Sequence, residues 1–113
     1  MTKIIISPLK NGLNIAVIGH ATKINEGPIN LLCCAVSMLG QTLAKIAMDM
    51  DEEGKIDAAV KIESGLIRIK ARFKDDGAEF KTKAEAIEAG FRLLQNEYPD
   101  LIFIGGEIRS RTC

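Results

Sequence analysis

The chain has 113 residues, enough for one hydrophobic core and too few for two, so a single domain over residues 1–113 is expected. Lysine plus arginine and aspartate plus glutamate both number 15, with a sequence pI near 6.6, which excludes global attraction to nucleic acid or to an anionic membrane and leaves only local patches. Aromatic residues make up 4% and tryptophan is absent, so base-stacking platforms are poorly supplied and no direct nucleic-acid binding is expected.

Met1 to Pro8 holds too short an apolar run for a secretory segment, and no stretch reads as long enough to span a bilayer; a cytoplasmic protein without membrane contact is expected. Lys3 to Ser7 and Leu13 to His20 read as two β-branched strands joined through Pro8-Leu9-Lys10-Asn11-Gly12, a hairpin. Ala21 to Pro28 breaks the pattern and reads as a loop. From about Leu31 to about Met50, Leu32, Val36, Leu39, Leu43, Ile46 and Met50 recur at helical spacing and form the core stripe, with Asn30 as N-cap. Asp51-Glu52-Glu53-Gly54 ends that helix.

Two alternating runs follow, Ile56-Ala58-Val60-Ile62 and Ile67-Ile69-Ala71-Phe73, around a Ser64-Gly65 turn. Their other face carries Asp57, Lys61, Glu63, Arg68, Lys70, Arg72 and Lys74 and is mostly basic. Thr82-Lys83-Ala84-Glu85 has the form of a capping box opening a second helix with Ala84, Ile87, Phe91, Leu94 and Tyr98, which Pro99 stops. Leu101 to Ile104 is a short apolar run suited to an edge strand, before a polar tail from Glu107 to Cys113. The order β-β-α-β-β-α implies a two-layer α+β fold, an antiparallel sheet with both helices on one face, whose open face suits dimerisation.

The only histidine, His20, falls where a strand ends, and Cys33 falls where the helix begins. On the helix Cys33 shares a flank with Ser37, Gly40 and Ala44, while Cys34 lies on the far side with Gln41 and Lys45. A thiolate beside an imidazole and near unpaired helix-start amides is a nucleophile with a base and an oxyanion site. A half-buried structural cysteine and a polar strand end account for the same spacing. One histidine and no second cysteine pair are too few soft ligands for zinc, the acidic run Asp49 to Glu53 reads as a solvated helix end, and no cofactor or metal is expected.

Gly19-His20-Ala21, then Gly27, then Asn30-Leu31-Leu32-Cys33-Cys34-Ala35-Val36-Ser37 resembles the ribosomal-processing cysteine protease family, whose pattern is G-H-A, a loop with glycine, then D-[IV]-[IV]-C-A-[AG]-V-S. The element order and Tyr98-Pro99 extend the likeness over nearly the whole chain. The resemblance implies a homodimeric cysteine endopeptidase that removes a short N-terminal extension from a large-subunit ribosomal protein, or, in phage relatives, processes a capsid or scaffold protein. It places the catalytic pair on His20 and Cys33 and the family's helix serine on Ser37. Asn30 stands where the family has an acidic residue, and the loop from His20 to Cys33 is one residue longer than the pattern. The alternative is a non-catalytic module of the same fold that docks on ribosomal RNA or a protein through Lys61, Arg68, Lys70 and Arg72.

Overall fold

The computed structural model describes residues 1–19 and 27–109, and for residues 27–30 the backbone alone. The elements are β1 (Thr2–Leu9), β2 (Gly12–Ile18), α1 (Gly27–Glu52), β3 (Ile56–Glu63), β4 (Leu66–Phe73), α2 (Ala78–Glu97) and β5 (Ile102–Gly105). They form one five-stranded sheet in the order β3-β4-β2-β1-β5. The first four strands pair antiparallel, and β5 joins the edge beside β1 in parallel, which makes the sheet mixed. Both helices pack on one face, α1 over β3 and β4, α2 beside α1 and β5.

Alternation in the strands decides which face is covered. Ile4, Ile6, Leu13, Ile15, Val17, Ile67, Ile69 and Ala71 point into the core at 0–4% exposure. From the helices come Leu32, Val36, Leu43, Ala44, Ala47, Met50, Phe80, Ala84 and Phe91. β1 runs on through Pro8 to Leu9, and Lys10-Asn11 alone make the turn, with Asn11 in the left-handed region at φ 61°. Proline is tolerated there because β5 reaches only as far as Ile5, so β1 has a single neighbour at Pro8.

Three local expectations are corrected. α1 begins at Gly27, so Asn30 is inside the helix and is not its N-cap. The reason is Pro28, read from sequence as a breaker: its fixed φ and missing N–H suit a helix's first turn, where amides have no intrahelical partner. By length and composition Leu31–Glu52 would suffice to cross a bilayer, contrary to the sequence reading, yet its apolar stripe is part of the core. α2 begins at Ala78, a turn ahead of the supposed Thr82 capping box; Asp75 Oδ1 accepts from Gly77 N–H (2.7 Å) and Asp76 Oδ1 from Ala78 N–H (3.0 Å), and Phe80 is fully buried. Glu79 in that first turn accepts from Lys83 and Lys55, which hold its carboxyl below the ordinary range.

The tail after β5 is not simply polar. Ile108 is 3% exposed, and its N–H donates to the buried Glu88 (3.2 Å), whose other oxygen takes two bonds from Arg92 (2.9 and 2.7 Å). Arg92 also donates to Gly106 O, and Arg109 to Glu85. The acidic end of α1 has duties as well. Asp51 Oδ2 accepts from Ala58 N–H (2.7 Å) on the outer edge of β3, satisfying a donor that would otherwise invite another strand, and Asp49 pairs with Lys45 (2.7 Å).

Gly77 and Gly54 give a controlled comparison. Both have positive φ (74° and 79°), but a Cβ on Gly77 would enter the Phe73 ring, while one on Gly54 would meet nothing within 4 Å. Gly54→Ala should cost about 1 kcal/mol from backbone strain, and Gly77→Ala about 2–4 kcal/mol, read from urea unfolding curves. Equal costs would mean that the Phe73 contact is not part of the stable structure.

Candidate functional site

The candidate site is built at one end of the sheet, and the topology fixes which end. α1 finishes beside the start of β3, where Lys55 N–H bonds Met50 O and Ala58 N–H bonds Asp51. The start of β3 pairs with Phe73 at the end of β4, and that end of β4 pairs with Gly12 at the start of β2. The first half of α1 therefore lies toward the opposite end, where β2 finishes at Ile18. Gly19 N–H bonds Gly65 O in the β3–β4 turn there (2.8 Å), and Thr2 N–H bonds Leu101 O (2.9 Å).

Cys33 is the seventh residue of α1, on a row with Ser37, Gly40, Ala44 and Ala47. This row, read from sequence as a flank, is the line along which α1 meets the sheet: Gly40, Ala44 and Ala47 are buried, and a Cβ on Gly40 would come within 2.8 Å of Ile67 Cδ1 and 3.7 Å of Val17 Cγ2. Two turns before that contact, Cys33 is half-buried on the sheet side of the helix, at the end where β2 closes. Cys34 is exposed, and the two thiols are free. Ser37, one turn on from Cys33, is half-buried.

His20 follows Gly19 in the chain and lies outside the described residues, as does Cys113. With α1 starting at Gly27, Cys33 is not in the first turn. Its own amide belongs to the helix ladder, and the orphan amides belong to the turn before it, on the order of 5–9 Å earlier along the axis. The expectation that Cys33 lies in the first turn, beside the helix-start amides, is corrected accordingly. Among the described residues no group of three metal-ligating side chains comes together.

The spacing of Cys33, Ser37 and Gly40 carried a signal that periodicity alone did not weigh: a row of small residues marks close approach of a helix to its neighbour. Gly40→Val should therefore lift the first half of α1 from Ile67 and Val17, destabilising the fold by about 1–3 kcal/mol and raising the alkylation rate of Cys33. Unchanged stability and unchanged thiol accessibility would contradict this packing.

No family model matches the sequence, and no curated protein matches it. Solved structures do. The ribosomal processing protease Prp from S. aureus, described in complex with a substrate peptide, superposes with a TM-score of 0.70 at 14% identity, covering 93% of this chain and 98% of that one. SMU.848 from Streptococcus mutans gives 0.69 at 18% identity, with 93% and 96% covered. Identities this low establish architecture, and the architecture matches over nearly the full length of both: this chain has the fold of a ribosomal processing protease.

Proposed function

We propose that this protein is a cysteine endopeptidase in which Cys33 is the nucleophile and His20 the general base and acid. It would remove a short N-terminal extension from a large-subunit ribosomal protein or process a phage structural protein. The observation that carries this reading is the position of Cys33: half-buried, on the sheet side of α1, toward the sheet end at which β2 closes two residues before His20 in sequence. The fold shared with a ribosomal processing protease supports it.

In this reading His20 takes the Cys33 proton, and Sγ attacks the scissile carbonyl carbon to form a tetrahedral adduct. Collapse breaks the C–N bond, with the imidazolium proton passing to the leaving amine. Water, deprotonated by His20, then hydrolyses the thioester and returns the proton to sulfur. Cys33 should react with iodoacetamide faster than the more exposed Cys34, and His20→Ala should slow Cys33 at least about 10-fold. Cys33→Ser should abolish cleavage of a peptide from the extended ribosomal-protein N-terminus. Rates that simply follow exposure would favour the non-catalytic module of the same fold.

A cytoplasmic homodimer belongs to the same reading. The open sheet face divides into a basic half on β3 and β4 and a more apolar half, with Ile5, Ala16, Ile18 and Phe103, of which Ile18 and Phe103 are 39% and 48% exposed. On this face Asn14 Oδ1 is buried with no hydrogen-bond partner among the described residues. Phe103→Glu should shift the protein to monomer in sedimentation experiments while leaving its unfolding cooperative; an unchanged mass would exclude this interface.

A further inference from the structure

Neutral net charge conceals a separation of charge across the sheet. The register places Lys3, Lys61, Arg68, Lys70, Arg72 and Lys74 on the open face, all exposed. The carboxylates there are Asp57 and Glu63, and each already has a lysine, Lys74 at 3.7 Å and Lys61 at 3.6 Å. No ion pair within 4 Å engages Lys3, Arg68, Lys70 or Arg72 among the described residues. The acidic groups gather instead on α1, α2 and their adjoining turns.

Along β4 the cations Arg68, Lys70 and Arg72 repeat about every 6.7 Å, the two-residue rise of a strand. Their cross-strand neighbours on β2 are small, Ala16, Asn14 and Gly12, and on β3 they are Lys61, Ala59 and Asp57 in the same order. The long basic side chains therefore overtop the β2 side, and toward β3 Lys70 and Arg72 border a hollow of about 220 Å³ with Asp57, Ala58 and Ala59. Lys61 stands directly opposite Arg68, a like-charge pair that an isolated sheet disfavours and a bound anion relieves.

We propose that the β3–β4 half of this face is a docking surface for duplex RNA, with Arg68, Lys70 and Arg72 each on a backbone phosphate. Guanidinium forks suit phosphate oxygens, and the scarcity of aromatic side chains on the face suits backbone contact rather than base reading. A face five strands wide suits the wide, shallow minor groove of A-form RNA, whereas the B-DNA major groove admits a helix or narrow ribbon. The surface is independent of Cys33 chemistry and lies beside the apolar half assigned to the dimer.

The test is fluorescence anisotropy of a labelled RNA duplex of about 20 base pairs with the full-length chain. Three phosphate contacts predict a roughly 40-fold loss of affinity between about 50 and 200 mM salt. Arg68→Ala, Lys70→Ala and Arg72→Ala should each reduce the log–log salt slope by about one, and the triple variant should bind at least about 10-fold more weakly at low salt. Lys45→Ala on the helix side should bind as the parent does, and unfolding curves check that each variant is folded. Absence of RNA binding at low salt, undiminished binding by the folded triple variant, or tighter binding of polyglutamate or of a B-DNA duplex would overturn the proposal.

Discussion

The close seat of α1 on the sheet governs the rest of the molecule. Gly40, Ala44 and Ala47 bring the helix backbone down on Val17 and Ile67, and larger residues to either side, Leu32, Val36, Leu43 and Met50, fill the space this leaves. Each such buried aliphatic side chain contributes about 1.5–3 kcal/mol of transfer free energy, so the helix has one favoured rotation and one favoured depth. Cys33 lies on the same row of the helix, two turns before Gly40, and its depth follows from that seat. The same seat brings the far end of α1 to β3, where Asp51 closes part of an exposed strand edge.

α2 and the segment after β5 complete the other half of the core through a polar device. Glu88 is 9% exposed and is matched by Arg92 and the Ile108 amide. A buried carboxylate is tolerated when its lone pairs are filled, and here they hold the segment that caps Ile4, Ile6 and Phe91 with Ile108. Alternation then leaves the opposite sheet face bare. Since every second residue of β4 from Arg68 to Arg72 is basic, a neutral chain acquires a cationic sheet face.

Much of this was legible in the residues. Strict alternation and a Ser64-Gly65 turn identify β3 and β4, and the β1–β2 hairpin follows from its β-branched runs. The starts of both helices were not legible. Pro28 looks like a breaker unless the chain is known to turn helical there, and Thr82-x-x-Glu85 has the form of a cap that earlier aspartates and Phe80 pre-empt. Ile108 has no periodic neighbours, so nothing local marks it as core. Asp51 was unreadable for the same reason, because its partner Ala58 belongs to a strand edge that exists only once β3 has paired.

For the candidate site, composition and order alone settled that one histidine precedes two adjacent cysteines, and helical geometry separated Cys33 from Cys34. The same local rules settled the α+β class, since hydrophobic period depends only on neighbouring residues. Tertiary structure decided the depth of Cys33, its displacement from the helix start, and the end of the sheet toward which it lies. It also decided that the cations of β4 share an uncovered face with Lys3 and Lys61. Those properties depend on which surfaces meet, and burial between elements distant in sequence leaves no periodic mark along the chain.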